Sequence, residues 1–493
     1  MEFKLDSDVF LQKIADTAVE EIPTPCHPDT RYPEYRFAQT SASRNYVYEA
    51  VREVFRQMDY DRENFGSERW NPLGEFIRPG HTVLIKPNMV LHKNYKKGED
   101  YTSVVTHPAL VRCIVDYVYI ALGGRGRIVI GDAPINSADF EAICQNMGLA
   151  SLQEIYREKG FSVEVADFRL YTMEKDERGV IRNKKTVDSK DNHMVVRFDS
   201  DSLLAEFSDS YKNFRVTEYD GDDMPLRHNA ESHEYCVHRS VFESDVLISL
   251  PKIKTHHKAG YTCAMKNYIG INGSKDWLPH HRKHSAFEGG DEYLHKSLRK
   301  RLKSASWDIR WKLDSVLLQT ALRTFERALD ASRRIVPFKD PFFEGSWWGN
   351  RTISRTVNDL NRAVIYGDKQ GTLRDTPQRK ILYMVDGIIC GEGEGPMGAT
   401  AKRCNMLVWA SNAFAADMVV VTLMGFDHTL IDTLKVCQTI LKYKVFGGTP
   451  EEIRIRTNLE TGQHSLSTIR RILKFTFIPP RGWRGHIELP AEQ

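Results

Sequence analysis

The apolar positions of this chain switch between helical and strand spacing. Residues 45–58 (NYVYEAVREVFRQM) carry apolar side chains at helical spacing and predict an amphipathic helix. A polar stretch containing Pro72 and Pro79-Gly80 separates it from Thr82–Ile85, a short apolar run stopped by Pro87, which predicts a buried strand. Thr106 is placed to cap a helix that begins with His107 and Pro108, runs to about Leu122 and stops at Gly123-Gly124. Arg127–Ile130 predicts a second strand, Phe140–Met147 and Leu152–Lys159 helices, and Ser162–Ala166 a third strand.

Strand, helix, strand, helix, strand implies a parallel sheet with helices on its faces. Met194–Phe198 and Phe214–Thr217 are expected to pair as an antiparallel addition. Ser244–Leu250 resumes the core, and Lys380–Asp386 and Met406–Ala410 add further strands; a helix is expected over Asn412–Met424. The fold class is α/β: a mainly parallel sheet flanked by helices, with a helical insertion and some antiparallel additions. The predicted organisation is an N-terminal helical or irregular region (1–74), the first part of the core (75–274), a basic helical insertion (275–345), the second part of the core (346–464) and a basic tail (465–493).

Composition narrows the function classes. With 41% hydrophobic and 27% charged residues the chain is neither a rod nor mainly disordered. Lys plus Arg (69) almost balances Asp plus Glu (66), so no global charge signals nucleic-acid or membrane binding. The eight cysteines contain no CxxC pair, and no window is long and apolar enough to span a bilayer. A cytoplasmic, reducing location is expected; the sequence leaves the oligomeric state open, a homodimer being the base-rate assembly.

Ligand sites in parallel sheets lie beyond the C-terminal strand ends. Lys86, Asn88, Asp132 and Asp167 fall there. The densest chemistry is PKIKTHHKAGYTCAMKNYIG (251–270), where Lys252, Lys254, His256, His257, Lys258 and Lys266 cluster at a strand exit, as suits a phosphate or carboxylate ligand. Cys263, in the same segment, reads as a buried structural thiol. His280, His281 and His284 are assigned to the exposed surface of the insertion. GIICGEGEGPMG (387–398) reads as a glycine-rich loop after a strand ending at Asp386, able to offer backbone N–H groups to an anion at Gly393 and Gly395. Glu392 and Glu394 suit such a loop if a divalent cation lies between them and the ligand; otherwise the loop is a lid with exposed acids.

VLIKPNMV (83–90), THPALVRCIVDYV (106–118), IVIGDAP (128–134), DVLISLPKIKTHHKAGYTCAMKNYIG (245–270), WWGNRTISRTVNDLNR (347–362), VDGIICGEGEGPMG (385–398) and FAADMVVVTLMGFD (414–427) together resemble the DUF362 family. The resemblance implies shared site positions at Lys86, Asn88, Asp132, Lys252, Lys254, His256, Lys266, Asn267, Asp386, Glu392, Gly395 and Pro396. Many family members also carry a ferredoxin-like cysteine module; it is missing from this sequence, so no iron–sulfur cluster is expected.

The expected function is an enzyme acting on a small anionic metabolite, phosphorylated or carboxylated, by metal-assisted group transfer or proton abstraction. His256, Asp132 and Lys266 are the candidate catalytic residues. Lys86, Asn88, Lys252, Lys254, Asn267, Gly393 and Gly395 are the candidate substrate contacts, and Asp132, Asp386 and Glu392 the candidate ligands of Mg²⁺ or Mn²⁺. Two alternatives stand beside it: a redox or isomerase enzyme with an assembled metal cofactor, and a non-catalytic binding or assembly protein.

Overall fold

The computed structural model describes residues 7–15, 21–176, 181–216, 222–310, 312–332 and 340–490. Its centre is a ten-stranded mixed sheet. From one edge, eight strands run Arg454–Thr457, Asp8–Lys13, Thr400–Ala410, Lys380–Glu392, Val246–Leu250, Thr82–Pro87, Arg127–Asp132 and Val163–Asp167. Of these eight, Thr400–Ala410 alone opposes the common direction. The remaining two are Lys252–His256, parallel to the distal half of Lys380–Glu392, and Gly260–Thr262, which turns back on it.

Period-two alternation builds two cores from one sheet. Val83, Ile85, Ile128, Ile130, Val246 and Ile248 face a layer holding the helices Tyr46–Gln57, Pro108–Leu122 and Leu149–Arg157. Leu84, Val129, Leu247, Tyr383 and Val385 face the other layer, with Thr352–Tyr366 and Ala413–Leu423. Among the described residues no helix is long and apolar enough to cross a membrane.

Several expected elements move. Asp8–Lys13 is a strand of the central sheet, inside the stretch expected to be helical or irregular. His107, not Thr106, caps the Pro108–Leu122 helix: its Nδ1 accepts the Ala109 N–H at 3.2 Å. Thr106 instead donates its hydroxyl to the Leu250 carbonyl at 2.6 Å. His193–Arg197 pairs with Glu234–His238, and Phe214–Arg215 with His281–Arg282, so the two segments expected to pair find other partners; Thr217 lies outside the described residues. Within 275–345, Leu298–Arg310 and Val316–Ala331 form a helical pair joined by a buried Arg310–Glu326 contact of 2.9 Å.

Candidate active site

Parallel pairing of Ile85 with Ile130 sets the ends of two strands side by side and brings Lys86 to Asp132. Lys86 Nζ lies 2.7 Å from Asp132 Oδ1 and also donates to the Pro87 carbonyl (2.9 Å) and to Asn267 Oδ1 (3.2 Å). Asp132 takes two further donors, the Ala133 N–H on Oδ1 (3.0 Å) and the Met89 N–H on Oδ2 (2.6 Å). Asn267 donates to Ser249 Oγ (2.9 Å) and the Lys86 carbonyl (3.1 Å), and its Oδ1 accepts from Asn88 Nδ2 (3.2 Å). Asn88 Oδ1 in turn accepts from Lys254 Nζ at 3.0 Å. Lys86, Asp132 and Asn267 are thereby a saturated frame: they position, and Asp132 has no unengaged oxygen with which to act as a simple base.

Gly270 shows how closely that frame is packed. A Cβ there would sit 1.9 Å from Asp132 Oδ1 and 2.8 Å from Lys86 Nζ. Gly270→Ala is therefore expected to separate the ion pair and to lower the unfolding free energy by about 1–3 kcal/mol, as overpacking does; denaturant unfolding of the variant checks this.

Lys252 and Asp386 form a second buried pair at 2.6 Å, with both side chains fully shielded. Lys252 also donates to the Ile389 carbonyl (3.0 Å), and Asp386 accepts the His107 N–H at the helix start (2.6 Å) and the Ile388 N–H (3.0 Å). The expected substrate contact at Lys252 and metal ligand at Asp386 are thus joined to each other. Burial pushes neighbouring His107 down to about 4.

The groups that do converge line a cavity of about 110 Å³ beyond the strand ends. It is lined by Lys254, Lys266, Lys275, His256 and His280, with Asn88, Asn267, Asp132, Thr262 and Pro396 around them. Lys275 donates to the Ala133 (2.9 Å), Ile269 (3.2 Å) and Asn272 (3.4 Å) carbonyls, and Lys254 to Asn88 and the Val104 carbonyl. No hydrogen bond or ion pair holds Lys266 among the described residues, although it is only 8% exposed. Burial, then the nearby charges of Lys275 and Lys258, pushes it down to about 7. Burial also brings Lys275 to about 7, with Asp132 opposing the shift, and drives Lys254 well below the usual lysine range.

The two histidines are set in opposite tautomers by the backbone. His256 Nδ1 accepts the Lys258 N–H at 3.0 Å, which leaves the ring proton on Nε2. His280 Nδ1 lies 2.7 Å from the Leu278 carbonyl and must donate to it, which leaves a lone pair on Nε2. Burial first, then the charge of Lys266, pushes both far below the usual histidine value, which favours the neutral rings. His281, expected on the surface, is fully buried, and His280, partly buried, lines the cavity.

Asp417 holds the turn that carries Lys266 and Asn267. It accepts from the Tyr261 hydroxyl (2.8 Å) and from the Ala264 (2.7 Å) and Met265 (3.1 Å) N–H groups, and burial pushes it up to about 6. Cys263, beside it, has a thiol pushed well up by burial, in keeping with a structural role.

The glycine-rich segment departs from expectation. The strand continues through Asp386 to Glu392, and the free N–H cradle does not form. The Gly393 N–H donates to the Ile478 carbonyl (2.8 Å) and the Gly395 N–H to the Gly393 carbonyl (2.9 Å). A Cβ on Gly395 would lie 2.0 Å from the Thr255 carbonyl oxygen, so this glycine serves close packing. Glu392 is 3.0 Å from Lys402 and accepts the Ile478 N–H; Glu394 accepts the Arg481 N–H at 2.8 Å. The C-terminal segment thus straps this loop, with Trp483 donating to the His257 carbonyl at 2.7 Å. Asp132, Asp386 and Glu392 are each committed to a different lysine, and among the described residues no three His, Cys, Asp or Glu side chains gather as a metal-holding group. The three carboxylates expected to share a divalent ion do not fit one.

A larger cleft, about 1170 Å³, lies at the opposite ends of the strands beside Arg78, His81, Arg379, Lys380 and Arg456. None of the expected site residues reaches it. The small cavity is the candidate because its buried cations and unengaged groups point to a ligand.

The sheet, its flanking helices and its antiparallel additions define an α/β protein. A model of the family described as "Domain of unknown function (DUF362)" matches residues 83–186 and 202–422, more than half of the chain. The chain belongs to this family. A comparison with curated proteins gave no match. A crystal structure of a Thermotoga maritima protein, a target of the Northeast Structural Genomics Consortium, is 11% identical with a TM-score of 0.29. The match covers 72% of this chain and 54% of that protein, so this chain spans about half of its length.

Proposed function

We propose that this protein is an enzyme that binds a small phosphorylated or carboxylated metabolite at Lys254, Lys266 and Lys275 and moves a proton on it. The carrying observation is the convergence of three buried lysines on one cavity whose lining carboxylate, Asp132, is already committed to Lys86. Buried like charges repel, so without a ligand these lysines give up protons; an anion restores their charge and is drawn in by it. The cavity is smaller than the roughly 150 Å³ that admits benzene, which favours an anionic group with a few attached carbons. Lys254 and Lys275 hold the anion, Asn88 orients it, and the His256 Nε2–H donates a hydrogen bond to a substrate oxygen. The His280 Nε2 lone pair is the base that takes the substrate proton. The eight free cysteines support a cytoplasmic location, and a homodimer is the proposed assembly.

Incubation with a panel of short phosphorylated and carboxylated metabolites in D₂O tests the chemistry. Deuterium is expected to enter a C–H next to the activated group, seen by proton NMR. Tight binding without exchange across the panel overturns the catalytic reading and leaves a binding protein.

The lysines also fix a pH dependence. Between about 7 and about 10.5 the unfolded chain holds a proton on Lys266 that the folded protein lacks. The Lys266 contribution to stability therefore rises with pH through that window and is most unfavourable below 7. The stability difference between Lys266→Met and the parent is expected to favour the variant at pH 6.5 and to shrink by pH 9, as measured by urea unfolding.

A further inference from the structure

Two groups lining the cavity are left without a hydrogen-bond partner among the described residues. Lys266 Nζ has no partner among the described residues, whereas Lys254 and Lys275 are tied to carbonyl or amide oxygens. Thr262, only 3% exposed and paired in register with Lys254, presents a buried Oγ1 with no hydrogen-bond partner. A buried hydroxyl left unpaired is costly, and this one lines the same cavity as the amine. An amine without an acceptor, a hydroxyl without a partner and a histidine lone pair at His280 together suit a carbonyl rather than a second anionic group.

We infer that the substrate carries a ketone or aldehyde beside its phosphate or carboxylate, and that Lys266 forms an imine with that carbonyl. This rests on the anion-site reading and specifies its substrate class. The Nζ lone pair bonds to the carbonyl carbon while the C=O π pair moves to oxygen. One amine proton passes by way of His280 Nε2 to that oxygen, giving a carbinolamine. His280 then takes the remaining N–H proton as the nitrogen lone pair closes C=N and the hydroxyl departs with that proton as water. The net change is amine plus carbonyl to imine plus water, with no oxidant or reductant. Thr262 Oγ1 and His256 Nε2–H donate hydrogen bonds to the carbonyl oxygen and favour the addition. A proton taken from solvent onto the imine nitrogen gives the iminium, which acidifies the adjacent C–H for proton removal by His280.

The test is reductive trapping on the full chain. Pyruvate and, separately, glycolaldehyde phosphate are added with sodium cyanoborohydride at pH 7, and labelled peptides are mapped by mass spectrometry, with and without inorganic phosphate as a competitor. Phosphate binding is measured in parallel by calorimetry. The inference predicts that one of the probes labels Lys266 at least about tenfold faster than surface lysines, because its amine is far less protonated at pH 7. Phosphate is expected to slow that labelling, and Thr262→Val to slow it while leaving phosphate binding intact. If phosphate binds but Lys266 labels no faster than surface lysines, the imine is wrong and the anion site stands. If phosphate neither binds nor protects, both are wrong.

Discussion

Asp386→Ala is expected to lower the unfolding free energy by about 3–5 kcal/mol, the range found when one member of a buried ion pair is removed. The substitution leaves Lys252 fully enclosed opposite no charge, and it also strips the acceptor from the His107 and Ile388 N–H groups. The pair joins the Lys252–His256 strand, the long Lys380–Glu392 strand and the start of the Pro108–Leu122 helix. Because the penalty comes chiefly from the stranded charge, Lys252→Met combined with Asp386→Leu should recover a large part of the loss. Guanidinium unfolding of the single and double variants measures both. A small loss in Asp386→Ala would mean that Lys252 reaches another carboxylate or water, and that the pair is not the internal tie described here.

Lys254→Met is expected to weaken binding of inorganic phosphate by about 10–100-fold, the equivalent of one or more charge-assisted hydrogen bonds. Lys254 reaches the cavity from the strand that Gly260–Thr262 doubles back upon, and its partner Asn88 links it through Asn267 to the Lys86–Asp132 frame. Methionine keeps most of the length and apolar volume of the side chain, so the sheet is expected to persist. Circular dichroism of the variant should match the parent while calorimetry shows the lost affinity. Lys252→Met is the contrast, since its amine is spent on Asp386: it should cost stability far more than phosphate affinity.

Much of the site was legible because strand ends in a parallel sheet are close together whatever the loops do. Lys86, Asn88, Asp132, Lys254, His256, Lys266 and Asn267 all belong to one linked frame or line its cavity. What the pattern could not distinguish was a lysine facing a ligand from one facing an internal carboxylate. Lys252 and Lys254 stand two residues apart on one strand, and only the pairing of Lys252 with Asp386 separates their roles. Lys275 and His280 were missed because they follow the core motif on a segment without strand or helix periodicity, which read as the start of an insertion. The glycines misled for a related reason. Gly387 and Gly391 lower strand propensity, yet they sit within a long strand where a Cβ would strike Met406 and Ala399 respectively, so packing overrides the local preference. Asp8–Lys13 escaped because a short strand so far from its partners in sequence, at Thr400–Ala410 and Arg454–Thr457, has no local turn to announce it.

The most direct test of the central claim, that this cavity is an anion site charged by its ligand, is calorimetric titration of the full chain with inorganic phosphate near pH 7.5 in two buffers of different ionisation enthalpy. The expected result is saturable binding with net proton uptake, since Lys266 and Lys275 lie near 7 when ligand-free and rise when an anion is bound. That uptake is expected to fall, with the Lys275 share remaining, in Lys266→Met. No saturable binding, or binding with no proton uptake that is unchanged in Lys254→Met and Lys266→Met, would contradict the account.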